Sequence, residues 1–190
     1  AAADPDWLPR VVSGLSSGEG LIYGVRDPRE AEEPIKERGR IVDYQRVVKD
    51  AGVSDKRLLV VESEFASVLR VSRRDGSTLS TTVRQAWDSG DLRILTRNNP
   101  EVATGAYVSI IGHITADELQ REMLSIDLAS GFANRFLFIA STRSKVLPFG
   151  GALEPYVLDG LAVRLARVFA TARTRATLTW DADARAVWGE

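Results

Sequence analysis

The chain has 190 residues, 44% of them hydrophobic and 27% charged, which is enough to bury a sizeable core as one domain. Its 25 basic and 26 acidic residues leave a net charge of −1, which argues against tight, purely electrostatic DNA binding but leaves room for a local basic patch or a ring with a basic lumen. It has no cysteine, which excludes disulfides and thiolate metal sites, and it shows neither a bilayer-length apolar stretch nor a leader, so a soluble, cytoplasmic protein without a membrane partner is expected.

Residues 1–9 read as an edge or loop, and the chain ends barely two turns into a helix capped by Asp181, so truncation at both ends is expected. Residues 10–12 and 21–25 flank the turn GLSSGEG (14–20), where the backbone must make unusual angles or come close to something. The charged stretch 26–55 reads as a solvated excursion or hairpin insertion, with 40–50 a short amphipathic helix or strand inside it. The run RLLVVESEF (57–65) predicts a strand buried on both faces that ends in Glu62, Ser63 and Glu64. Helices follow over 64–73 and 79–87, then a strand over 91–97 and a second buried strand over 104–113. Thr115 and Glu118 form a capping box for a helix over 115–123. A Gly-Phe turn then leads into RFLFIA (135–140), read as a third buried strand. Beyond a Pro-Gly loop (147–151), a helix is predicted over 155–174 and a short strand over 176–180. Strands alternating with helices predict an α/β fold around a mostly parallel central sheet.

Several residues could carry chemistry. Glu62 and Glu64 close a core strand, where open α/β folds place ligands, and a carboxylate there suits Mg²⁺ or its waters; the plainer alternative is a pair of solvated acids. His113, the single histidine, ends the next core strand, either as a sensor of a γ-phosphate or as a buried histidine satisfied by Thr115 or a backbone carbonyl. Glu19, among glycines, is a candidate general base or an ordinary loop acid. Arg135, after Asn134, is either a finger for a neighbouring subunit's site or a salt-bridged arginine. Residues 70–74 and 93–99 could touch a nucleic-acid backbone, with little aromatic interleaving. Neither a GxxxxGK[ST] loop nor a GxSxG elbow is present.

Taken together, SGLSSGEGLI (13–22), LLVVESEFASVLR (58–70), RQAWDSGDLR (84–93), SIIGHITADEL (109–119) and GFANRFLF (131–138) resemble a family of uncharacterised domains in actinobacterial, phage and plasmid proteins. These domains often lie downstream of a primase-polymerase module and are similar to RecA-type ATPases, in particular hexameric plasmid replicative helicases. The resemblance implies a RecA-like core over 1–150, with 26–55 a variable insertion, and a helical and strand extension over 151–190. It places the P-loop upstream of Ala1, and ATP and Mg²⁺ are expected to bind only with that loop. It gives Glu19 the role of catalytic glutamate, Glu62 the metal-side acid where relatives often carry aspartate, His113 the phosphate sensor and Arg135 the finger, with Ser63, Glu64 and Asn134 lining the nucleotide. The implied function is a replication-associated, helicase-type DNA motor that assembles as a ring on single-stranded DNA, with this segment inactive alone. The alternatives are a non-catalytic RecA-like scaffold, or a metal-dependent nuclease built on Glu62, Glu64 and His113.

Overall fold

The computed structural model describes residues 4–95, 100–146, 148, 151–174 and 179–189. The chain divides into two units, one formed by residues 9–140 and the other by residues 1–8 with 141–190. The larger unit carries the core.

That unit is a mixed α/β layer. Its central sheet has three parallel strands in the order β1 (Val11–Val12), β4 (Arg57–Glu62), β7 (Tyr107–Gly112), with β4 in the middle. Between β1 and β4 come α1 (Gly18–Tyr23) and the antiparallel hairpin β2 (Arg29–Glu37) and β3 (Arg40–Asp50). Between β4 and β7 come α2 (Phe65–Ser72), α3 (Leu79–Asp88) and a small antiparallel pair, β5 (Leu92–Ile94) with β6 (Glu101–Ala103). Two short helices, α4 (Ala116–Glu122) and α5 (Ser125–Ala129), follow β7.

The apolar spacing explains the packing. Leu58 and Val60 on β4 meet Leu21 and Ile22 of α1, Val68 and Leu69 of α2, and Leu79 and Val83 of α3 in one cluster. Ile22, Leu69 and Leu79 are fully buried, each burial contributing about 1.5–3 kcal/mol before side-chain ordering is counted. Ser17 caps α1 by accepting from the Gly20 N–H, and Thr115 with Glu118 forms the expected capping box of α4.

The insertion is a hairpin, as one of the two sequence readings had it. Its turn places Arg38 at φ 50° and Gly39 at φ 81°, the left-handed pair that matches the twist of a two-residue hairpin loop. Its root is pinned by a bidentate Arg26–Asp50 pair at 2.7 and 3.0 Å, and by Lys56 donating to Asp27 at 2.6 Å and to the carbonyls of Val25 and Arg26.

Three strand expectations change. On β4 only the Leu58–Val60–Glu62 face is fully buried, while Leu59 and Val61 are half-buried. β7 starts at Tyr107 and is half-exposed, because it pairs only with β4 and forms an edge of the sheet. Residues 135–140 form no strand. Arg135 closes a 3₁₀ turn (Ala133–Arg135), Phe136 packs on the rings of Phe65 and Phe132, and Leu137, Phe138 and Ile139 are exposed with no ladder to join. A strand exists only where a neighbour supplies its hydrogen bonds, and apolar composition cannot supply one.

The smaller unit holds α6 (Pro155–Arg173) and α7 (Ala182–Trp188), with Pro155 at the start of α6 and Asp181 capping α7. The Trp180 and Trp188 rings meet 5.2 Å apart. The strand expected at 176–180 and the loop at 147–151 fall largely outside the described residues. No helix among the described residues is long and apolar enough to cross a membrane.

Candidate functional site

Parallel pairing sets the site. Because β4 and β7 run the same way, with Glu62 opposite Gly112, both strands end at one sheet edge. The His113 N–H donates to the Glu62 carbonyl at 2.8 Å, and the Phe65 N–H donates to the His113 carbonyl at 2.9 Å. The ends of β4 and β7 and the start of α2 are therefore laced together by main chain. Gly112 allows this, because a Cβ there would lie 2.5 Å from the Phe65 ring.

Glu62 is buried, with its carboxylate turned toward the loop after β1. Its Oε1 accepts from the Gly14 N–H at 2.6 Å and from the Leu15 N–H at 2.7 Å, a charge-assisted pair. Gly14 takes φ +88°, a left-handed angle that favours glycine. The other oxygen, Oε2, takes no hydrogen bond among the described residues. Glu62 thus anchors a loop with one oxygen and keeps one lone acceptor at the sheet edge. A free carboxylate oxygen is a hard ligand of the type that divalent cations such as Mg²⁺ take.

The imidazole of His113 is exposed and makes no hydrogen bond among the described residues. It is not the buried, satisfied histidine of the plainer reading, and Thr115 is occupied by Glu118 at 2.9 Å. Ser63 and Glu64 are exposed at the turn into α2. Glu64 takes part through its backbone carbonyl, which accepts from the Ser67 N–H and hydroxyl.

Glu19 sits in the first turn of α1, just after the loop that Glu62 anchors, and accepts from the Thr78 hydroxyl at 3.0 Å. A cleft of about 270 Å³ opens beside this loop, lined by Ser13, Gly14, Ser16, Ser17 and Val60 among others. The structure therefore assembles Glu62, Ser63, Glu64 and His113 at one edge, with the Glu19 loop tied to it through Glu62.

Arg135 and Asn134 belong to a different neighbourhood. The Arg135 guanidinium donates through Nη1 to the Gly131 carbonyl at 2.7 Å and through Nη2 to Asp88 at 3.0 Å, and its Nε is buried without a partner. Arg135 lines a groove of about 250 Å³ with Trp87, Val108, Ile110 and Phe136, along the β7 edge. Asn134 is exposed on the same 3₁₀ turn. In this conformation Arg135 pairs within its own chain.

Among the described residues no group of three or more histidine, aspartate or glutamate side chains could hold a metal ion. Glu62, Glu64 and His113 form no such group. The loop N–H groups on Glu62, the Thr78 hydroxyl on Glu19 and the Asp88 partner of Arg135 escape sequence reasoning, because each joins residues at least 47 positions apart. The one local signal was the glycine-rich turn itself. Comparison of this chain with protein-family models, curated proteins and solved structures yields no match.

Proposed function

We propose that this chain is part of a RecA-like ATPase, a replication-associated helicase-type motor acting on DNA, with its nucleotide site at the carboxyl edge of β4 and β7. The observation that carries this reading is the pairing of Glu62 and His113 at the ends of adjacent parallel strands, with one free carboxylate oxygen and one free imidazole. In this reading Glu62 would help to hold Mg²⁺, which would neutralise phosphate charge, and His113 would sense the γ-phosphate. Glu19 leaves Thr78 to orient the attacking water. Arg135 leaves Asp88 to act on a neighbouring subunit's site in a ring. Ser63, Glu64 and Asn134 line the nucleotide. ATP and Mg²⁺ bind productively only with a phosphate loop, placed upstream of Ala1.

The test is ATP turnover, with and without single-stranded DNA, by a protein extended upstream of Ala1, with the present chain as control. DNA-stimulated turnover in the extended protein, abolished by both Glu62→Gln and Arg135→Ala, is expected. If both variants keep wild-type turnover, the reading fails. Two observations favour a second reading, a RecA-like scaffold without catalysis: Oε1 of Glu62 has a structural task, and Arg135 is engaged in its own chain. Absence of nucleotide binding by the extended protein would select it.

A further inference from the structure

The dipeptide Asp-Gly occurs twice in this chain, at Asp75–Gly76 and at Asp159–Gly160. Glycine after aspartate leaves the main-chain nitrogen between them unshielded, because no Cβ stands beside it. That nitrogen can then attack the aspartate's own carboxyl carbon. The two copies of the pair sit in opposite surroundings.

Asp75 and Gly76 are the middle residues of a tight turn between α2 and α3. The Ser77 N–H closes the turn on the Arg74 carbonyl at 2.9 Å, and Gly76 takes φ 77°, the angle of the third place in a type II turn. Arg74, Asp75 and Gly76 are all exposed, and nothing lies within 4 Å of where a Gly76 Cβ would stand. Among the described residues the Asp75 carboxylate accepts no hydrogen bond and forms no ion pair, and the Gly76 N–H donates to no acceptor. Both reacting groups are free and open to water. Gly160, by contrast, lies inside α6, where each N–H is given to the carbonyl four residues before it.

We propose that Asp75 is a site of spontaneous conversion to isoaspartate, selected by this turn, while the helix protects Asp159. The Gly76 nitrogen attacks Cγ of the Asp75 carboxyl in its acid form, and a C–N bond forms. The proton of that nitrogen and the hydroxyl of the carboxyl leave as water, closing a succinimide ring. Water then reopens the ring. Attack at Cγ restores aspartate, whereas attack at the main-chain carbonyl carbon of Asp75 leaves the chain running through the side chain, as isoaspartate. One water leaves and one enters, nothing is oxidised or reduced, and a free carboxylate remains. The product carries one extra main-chain carbon between α2 and α3. It lies three residues before Thr78, whose hydroxyl holds Glu19 at 3.0 Å. Conversion at this turn therefore bears on how Thr78 is placed, whatever reaction the neighbouring sheet edge performs.

The experiment holds the folded chain in heavy-oxygen water at mildly acid pH, then digests samples with trypsin in ordinary water. Each ring that reopens leaves one heavy oxygen in the peptide Asp75–Arg84, and the isoaspartate form elutes apart from the aspartate form. In the folded chain this peptide should convert at least about fivefold faster than the one carrying Asp159, and in urea the two rates should converge to within about twofold. Asp75→Glu should abolish conversion at the turn, because the longer side chain would have to close a larger ring. The position is exposed and outside the core, so an unchanged thermal melt is the folding control for that variant. The proposal is overturned if Asp75 converts in urea but not in the folded chain, or if Asp159 keeps pace with it when folded. It is equally overturned if the gap survives in urea, which would assign it to sequence neighbours, or if heavy oxygen still enters the peptide in Asp75→Glu.

Discussion

Asp55 shows how a single side chain ties the central strand to pH. Its carboxylate accepts from the Arg57 guanidinium at 2.9 and 2.6 Å and from the Arg57 N–H at 3.1 Å, at the mouth of β4. The hydrogen bond from the Arg57 side chain, acting against partial burial, lowers its pKa from 3.8 to about 2. A carboxylate with a depressed folded value stabilises the fold fully above its unfolded value and loses that contribution as pH falls through the folded one. The contribution of Asp55 is therefore present above pH 3.8 and disappears toward about pH 2. Urea unfolding across that window should show a steeper loss of stability in the wild type than in Asp55→Asn. Equal slopes would remove Asp55 from the account. Glu62 carries the opposite lesson about legibility. Its type and its strand-end place were readable, because a four-residue apolar run leads straight into it. Its hold on Gly14 and Leu15 was not, since the bond spans 47 and 48 positions and depends on the left-handed turn at Gly14.

The longer helices, which satisfy their own hydrogen bonds, were legible, whereas the short α1 lies partly in the stretch read as a turn and α5 was not expected. α2, α3, α4 and α6 lie within a few residues of where apolar spacing, caps and Pro155 put them. Strands depend on neighbours: 135–140 has an apolar composition like that of β4 but pairs with no strand among the described residues. α1 is the element where sequence and packing meet most closely. It is six residues long, and Gly18 at its start faces α3 so closely that a Cβ would run into the hydroxyl of Thr82 and lie 2.6 Å from that of Thr78. Neither threonine can give way freely, because Thr82 donates to the Thr78 carbonyl and Thr78 to Glu19. Gly18→Ala should destabilise the chain by about 1–3 kcal/mol in urea unfolding, with the unfolding slope unchanged. A variant as stable as wild type would mean that α1 slides on α3 at little cost.

At the scale of the whole molecule, the fully buried hydrophobic residues among those described run from Leu21 to Ala133, all inside the unit of residues 9–140. In the other unit, Leu158, Leu161, Leu165 and Val168 of α6 keep about half their surface or more in water. The apolar spacing that made α6 legible as a helix therefore carried no information about what covers it. A chain of residues 9–140 should unfold cooperatively within a few degrees of the full chain, measured by calorimetry, since almost all of the burial energy lies within it. Loss of cooperativity on removing 141–190 would show that α6 and α7 belong to the same folding unit.

β7 also governs how the protein behaves in the tube. Among the described residues β7 pairs with β4 alone, so every second residue of Tyr107–Gly112 turns its main-chain donor and acceptor to the outer edge of the sheet without a strand partner. Neither lysine nor proline guards that edge, and Tyr107 and Ile111 are exposed. An unguarded edge is a growing end, able to template a strand from any extended apolar stretch, including the exposed Leu137–Ile139 of another copy. Yield, turbidity and shelf life should therefore follow protein concentration more steeply than temperature, and one lysine in place of Ser109 is the smallest change that would blunt the end.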